Sequence, residues 1–317
     1  MKILIVQIGR IGDMVLTTPL FRAVAEHVPG AEMHVLSSPR GAPVLRGNPR
    51  VKKIFVYRKD PFSFCSLMIR LLLTRYDWLI DPKDHASRES ALLAGICRAK
   101  NKVGFNREGE STFSFPIPSD LENAALHAVA RNLACLKPLG MPSTADPRPE
   151  LFPDARLVKK IKDTILVDDA KTVALNISAG DSSRYWTVEG WAAVAAYCLS
   201  KNLRVIVTYK PADGPNAGKL QNLQPRVILY DSPAIGDIVA LISLVNLVVT
   251  PDTSVVHVAS AFDVPQVALF PDIEWNLEKF RPLSRKSVVL QQGKGEAVST
   301  ITPDRVVSEI EKMLEKA

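Results

Sequence analysis

The sequence predicts an α/β protein of two doubly wound domains, each a parallel sheet covered by crossover helices, facing one another across a cleft. Short β-branched runs alternate with segments of helical periodicity along the whole chain. One proline-rich, aperiodic stretch interrupts them, Gly140 to Pro153 (GMPSTADPRPELFP), which reads as a linker. The length, 317 residues, is long for one domain and sufficient for two cores. The domains are therefore drawn as 1–150 and 151–317, with the closing helix free to pack back on the first.

In the first half, Lys2–Val6 reads as a strand, Asp13–Val28 as an amphipathic helix and Glu32–Leu36 as a second strand. Strand Val51–Tyr57, helix Phe62–Arg75, strand Trp78–Asp81, helix Ala86–Arg98, strand Lys102–Phe105 and helix Leu121–Leu139 follow. The second half repeats the alternation without an alignable repeat: helix Leu157–Leu166, strand Thr172–Ile177, helix Val188–Leu199, strand Arg204–Thr208 and a short strand Val227–Leu229. Helix Ile235–Val245, strand Leu247–Thr250, helix Ser254–Phe262, strand Gln266–Phe270 and helix Pro303–Lys316 complete it.

Composition is that of an ordinary globular protein, 47% apolar and 23% charged. Cys65, Cys97, Cys135 and Cys198 lie far apart with no C-x-x-C, so neither a zinc site nor a disulfide framework is indicated, and the chain is expected to be cytoplasmic. The apolar start is a strand broken by Gly9 and Arg10 rather than a signal-peptide layout. Phe62–Leu73 contains Arg70, is too short to span a bilayer, and is expected to pack in the core rather than on a membrane. The net charge of +7 is uneven: residues 1–150 carry 21 Lys+Arg against 14 Asp+Glu, whereas residues 151–317 carry 19 of each. Arg40, Arg46, Arg50, Lys52, Lys53, Arg58 and Lys59 concentrate the excess around the third strand. Such a face suits nucleic acid, a phosphorylated glycolipid or an acidic membrane, and its plain alternative is a solvated surface.

Two turns carry candidate chemistry. In Met1–Leu16 a strand runs through a tight turn into a helix, which places Asp13 at the carboxyl edge of a sheet, where open α/β sheets bind ligands. Gly9 and Gly12 permit close backbone approach, and Asp13 reads as a general base or, more plainly, as a helix cap. The full G-x-G-x-x-G is absent and no acid ends the second strand, which argues against a nicotinamide dinucleotide. In Leu247–Ala261 a strand enters Pro251-Asp252-Thr253-Ser254 and a helix, an arrangement suited to a diphosphate, with His257 one turn on. In Asn176–Trp191, Ser178 and Gly180 follow a strand, and Arg184 is placed to pair with a phosphate.

These motifs resemble glycosyltransferase family 9, the ADP-heptose:lipopolysaccharide heptosyltransferases, over essentially the full length. The similarity is carried by Ile8–Pro19 (IGRIGDMVLTTP), by Leu126–Arg131 with Leu139-Gly140, by Arg184-Tyr185-Trp186 with Glu189 and Trp191, and by Asp252–Ala259. The resemblance implies a GT-B fold and an inverting transfer of heptose from ADP-heptose to the inner core of lipopolysaccharide. It assigns Asp13 as catalytic base, and Arg184, Asp252 and Thr253 to the donor's sugar and diphosphate. Ser178, Gly180, Ser254 and His257 join the expected donor site. Gly9, Arg10, Gly12, Arg40, Arg46 and Arg58 are expected to meet an anionic core oligosaccharide on lipid A, with no nucleic acid as partner. No cofactor or metal is expected, since no D-x-D occurs, and the enzyme is expected in the cytoplasm, in peripheral contact with the inner membrane.

Two departures from the family pattern bear on the donor. Ser254 stands where Gly is usual, and Pro271-Asp272-Ile273 replaces Gly-x-Thr. The competing readings are a transferase of the same fold with another nucleotide sugar or acceptor, a non-catalytic nucleotide-binding protein, and a dinucleotide oxidoreductase.

Overall fold

The computed structural model describes residues 1–83, 87–104, 112–117, 126–142, 146–293 and 295–315. The contacts divide the chain into two compact units, Met1–Glu150 and Leu151–Ala317.

The first unit holds strands β1 (Lys2–Gln7), β2 (Glu32–Ser37), β3 (Val51–Val56), β4 (Arg75–Ile80), β5 (Arg98–Gly104) and β6 (Phe115–Pro116). They form one sheet in the order β3-β2-β1-β4-β5-β6, with every pair parallel. Its helices are α1 (Ile11–His27), α2 (Pro61–Leu73), α3 (Arg88–Ile96) and α4 (Ala128–Ala134). The second unit holds β7 (Thr172–Asn176), β8 (Arg204–Tyr209), β9 (Ile228–Asp231), β10 (Leu247–Pro251), β11 (Gln266–Leu269) and β12 (Ser287–Leu290). Around them lie α5 (Ala155–Thr164), α6 (Val188–Ser200), α7 (Gly214–Leu223), α8 (Ile235–Ile242), α9 (Ser254–Ala261), α10 (Glu274–Phe280) and α11 (Pro303–Glu315).

The second sheet, β12-β11-β10-β7-β8-β9, is also parallel throughout and repeats the first unit's strand order position for position. In each unit the chain reverses direction across the sheet beside the first strand. The crevices outside the carboxyl ends of β1/β4 and of β7/β10 are therefore topological switch points, where such sheets take ligands. Central strands are buried on both faces, which is why they read as unbroken apolar runs rather than alternating ones.

Several elements differ from expectation. Helix α1 opens at Ile11, not Asp13, and it is not amphipathic: Met14 to Phe21 are all buried. Helix α4 packs against it, and Asn132 donates a 2.9 Å hydrogen bond to the Leu16 carbonyl. Pro19 sits inside α1, where it withholds the amide that the Val15 carbonyl would accept. The Thr18 hydroxyl fills that vacancy, donating to Val15 O at 2.7 Å, and accepts the Glu150 N–H at 2.8 Å. Arg22 donates to the carbonyls of Asp146 and Arg148. The far end of the predicted linker is thus bonded to the first unit.

The helix expected over Leu121–Leu139 is described only from residue 126, where α4 and a 3-10 turn at Lys137–Leu139 replace a single long helix. Helix α7 is unannounced in the sequence because Gly214-Pro215 and Gly218 mask its pattern, and α10 and β12 also went unread. The closing helix α11 buries Val306 and Ile310 in the second unit's core with Trp186, Trp191 and Val249.

Helix α2 departs most from a core role. Leu67 and Leu71 face inward, while Phe62, Ile69, Leu72 and Leu73 are exposed. Cys97, Cys135 and Cys198 are buried and Cys65 is exposed. Burial pushes the Cys97 thiol up to about 11 and the Cys198 thiol up to about 12, with Cys135 raised further still.

The Thr18 bridge yields a test. Thr18→Val keeps the shape but strands a buried carbonyl and the Glu150 amide, a loss of about 1–3 kcal/mol by denaturant unfolding. Thr18→Ser, which keeps the hydroxyl, should retain most of the stability by the same measurement.

Candidate functional site

The first unit's candidate site is the turn from β1 into α1. Gln7, buried at the strand end, donates to the Thr17 hydroxyl at 2.9 Å and accepts the Gly9 N–H at 3.1 Å. Ser38, just past β2, donates to the Gly9 carbonyl at 2.9 Å. The turn is therefore bonded at both faces of one residue. Asp13 stands in the first turn of α1, and its Oδ2 accepts the Arg10 N–H at 2.8 Å, a cap-type bond that satisfies one amide at the helix start. Among the described residues no hydrogen bond reaches its second oxygen, so the carboxylate is both oriented and available.

Gly9 is needed for a steric reason rather than a dihedral one. A Cβ there would lie 2.5 Å from Asp13 Oδ2 and 2.8 Å from Gln7 Oε1. Gly12 lies inside the first turn of α1 and Arg10 is exposed at its cap. Arg40, Arg46 and Arg58 are exposed in the loops flanking β3. Arg50, counted with them in the basic cluster, is instead ion-paired to Glu150.

The second unit's candidate site gathers around Asp252, which follows β10 and is 3% exposed. Arg184 Nη1 lies 3.1 Å from the Asp252 carboxylate and donates to its carbonyl, also at 3.1 Å. Asn276 on α10 donates to the same carboxylate at 2.7 Å. Desolvation pushes the Asp252 carboxyl above the usual carboxylate value, against the opposing pull of Arg184 and the Asn276 bond. Nε and Nη2 of Arg184 meet no acceptor among the described residues. A guanidinium held at one corner thus keeps two nitrogens for an anion.

Several residues expected to touch the donor also make hydrogen bonds or ring contacts within the protein. Thr253 caps α9, accepting the Val255 N–H at 3.2 Å, and its hydroxyl also lies within 3.3 Å of Asn176 Nδ2 and of Thr250 Oγ1. Ser178 donates to Asp213 Oδ2 at 2.5 Å and accepts the Lys210 N–H at 2.9 Å. His257 is buried on α9 with its ring 6.1 Å from that of Phe280. Gly180 is exposed, and a Cβ there would meet nothing within 4 Å. Ser254 is the first residue of α9 and is absent from the positive-φ residues, so the backbone accepts a side chain where glycine is usual.

Sequence reading missed Asn276, which no motif announces, and a cluster beside Arg184. There Tyr185 donates to Asp213 at 3.0 Å, and Lys210 donates to Tyr185 at 2.8 Å and to the Ala179 carbonyl at 2.7 Å. The hydrogen bond to Tyr185 and the Asp213 charge hold the Lys210 ammonium above its ordinary value. The cluster fixes the loop from which Arg184 projects. Among the described residues no group of three His, Cys, Asp or Glu side chains gathers as a metal site.

Two doubly wound parallel α/β units in one chain, each with polar turns at its switch point, are the architecture of the GT-B fold class. The profile of glycosyltransferase family 9 (heptosyltransferase) matches residues 65–305, and the chain belongs to that family. The chain is 25% identical over 274 residues to the lipopolysaccharide core heptosyltransferase OpsX of Haemophilus influenzae, covering 84% of this chain and 78% of that one. It is 24% identical to lipopolysaccharide heptosyltransferase 2 of Salmonella typhimurium, with 99% of each chain covered. Among solved structures, a family 9 glycosyltransferase from Veillonella parvula superposes with a TM-score of 0.85 at 18% identity, covering 100% of this chain and 97% of that one. The E. coli heptosyltransferase WaaC solved with ADP gives 0.82 at 16% identity, covering 99% and 100%.

Gly9→Ala should force the Asp13 carboxylate aside. If Asp13 is the base the sequence suggests, the expected outcome is a turnover number reduced by at least about tenfold with the affinity for nucleotide unchanged, the scale of a displacement near 1 Å at a reacting group. Initial-rate kinetics beside nucleotide titration checks it.

Proposed function

We propose that the enzyme transfers heptose from ADP-heptose to a hydroxyl of the inner core of lipopolysaccharide, inverting the anomeric centre in one displacement without a divalent metal. The observation that carries this reading is Arg184, anchored by the buried Asp252 and presenting its remaining nitrogens at the carboxyl edge of the second sheet. The names of the relatives, which include lipopolysaccharide heptosyltransferases and a heptosyltransferase solved with ADP, support the substrate class.

In this scheme Asp13 takes the proton of the attacking hydroxyl as its oxygen bonds to the anomeric carbon. The bond from that carbon to the diphosphate breaks with inversion, and the departing oxygen gains charge. Arg184 and the positive end of α9 stabilise that charge, the task a metal ion performs in other transferases. Asp252, Asn276, Ser178 and Thr253 position the Arg184 loop and the helix start rather than contribute free ligands. The acceptor, carrying phosphate or carboxylate groups, is drawn by the first unit's exposed Arg40, Arg46 and Arg58.

A second reading, transfer from a different nucleotide sugar, is favoured by one feature: Pro271-Asp272-Ile273 leads directly into α10, which supplies Asn276 to Asp252. Thermal unfolding in a panel of nucleotide sugars separates the two, because the true donor raises the midpoint most. A larger shift by a UDP- or GDP-linked sugar than by ADP-heptose would reject the ADP-heptose assignment.

Two substitutions test the roles. Asp13→Asn should leave ADP binding intact and lower turnover about 10²- to 10⁴-fold, the usual reach of a general base. Arg184→Ala should weaken ADP binding about 10- to 100-fold by titration calorimetry, the equivalent of a charged hydrogen bond. Chelation with EDTA should leave the rate unchanged. As the pH falls, Asp252 takes its proton earlier than an ordinary carboxylate and its hold on Arg184 weakens. Nucleotide affinity should therefore decline on the acid side, and Asp252→Asn should remove that component.

A further inference from the structure

We propose that the outward face of α2 is a docking surface for an anionic lipid bilayer. The inference rests on the chemistry of this surface alone and not on the donor assignment. Successive residues of a helix are about 100° apart. On that wheel Phe62, Cys65, Ile69, Leu72 and Leu73 fall in one arc of about 100°, opposite Leu67 and Leu71. The inward pair belongs to the first unit's core, whereas Phe62 is 90% exposed, Leu73 76%, Ile69 57% and Leu72 47%. Helix α3 packs beside α2 and adds exposed Leu92. A contiguous apolar stripe on a folded surface marks a partner, and no packing among the described residues covers it.

The charges around the stripe select the partner. Arg58 precedes the helix, Arg70 lies on it and Arg75 follows, all exposed and without an ion-pair partner among the described residues. Lys59 pairs with Glu89 across 3.2 Å, and Asp60 is occupied as the cap of α2, accepting the Ser63 N–H. An apolar stripe flanked by cations fits an interface of acyl chains beneath anionic headgroups. Against a second copy of this chain it would set like charges opposite one another. Helix α2 has 13 residues, and no helix among the described residues is long and apolar enough to cross a membrane, so α2 lies in the plane of the bilayer. It is already folded and capped, so binding carries no cost of forming it.

Sedimentation of the full chain with phosphatidylglycerol-containing and pure phosphatidylcholine vesicles tests the proposal. The protein should pellet with the anionic vesicles at low salt and be released by high salt, with about tenfold weaker binding to the neutral ones. The triple variant Phe62→Ser, Ile69→Ser, Leu73→Ser should lose at least about tenfold in binding while its unfolding midpoint stays unchanged, since these side chains are exposed. Arg70→Gln with Arg75→Gln should weaken binding and its salt dependence together. If the triple variant does not fold, Leu73→Ser at the helix end gives the same comparison. Failure of the protein to bind anionic vesicles at low salt overturns the proposal, as does undiminished binding by the folded serine variant. A dimer that the serine variant splits, with no vesicle binding by either, overturns it in favour of self-association.

Discussion

The second unit is organised around one buried carboxylate. Removing Asp252 from water is costly, and the cost is offset only if charge and hydrogen bonds replace the lost hydration. Arg184 comes from the loop after β7, Asp252 from the end of β10 and Asn276 from α10, so one electrostatic requirement ties three separate segments together. The guanidinium cannot swing away without leaving a charge unpaired in the interior. Preorganisation of this kind is what stabilising a leaving group demands, because donors already in place need not reorganise as charge develops.

The two units share a strand order, and their chemistry diverges only in the turns at the carboxyl ends. After β1 the turn is bonded through Gln7, Gly9 and Ser38 and delivers a carboxylate. After β7 and β10 the turns are bonded through Ser178, Thr253 and Asp252 and deliver a guanidinium cation. In both, the neighbouring polar side chains bond to the backbone and to one another. Several residues that look like ligands in a one-dimensional reading thus also bond within the protein.

Much of the fold was legible because a parallel sheet buried on both sides writes itself as β-branched runs separated by helical periods. The runs at Lys2–Val6, Thr172–Ile177 and Leu247–Thr250 correspond to β1, β7 and β10 with boundaries within a residue or so. Legibility failed where local propensity and tertiary role part company. Thr17, Thr18 and Pro19 look like a polar, broken face, yet they lie in a helix buried all round, with hydroxyls satisfying the carbonyls. Helix α7 hides behind two glycines and a proline. At the site, Asp13 and Arg184 stood out by position, whereas Asn276 did not, because its importance comes from a contact 24 residues away in sequence. Phe62–Leu73 was read inward from hydropathy alone, which cannot distinguish a face turned to a core from one turned outward.

The distribution of sulfur offers a practical handle. Three thiols are sealed in cores and hold their protons well above neutral pH, while Cys65 stands in the open on the apolar stripe of α2. A maleimide dye sensitive to its surroundings will therefore label the native chain at one place without mutagenesis. That place is where the colour of its emission would report whether the stripe lies in water or in oil.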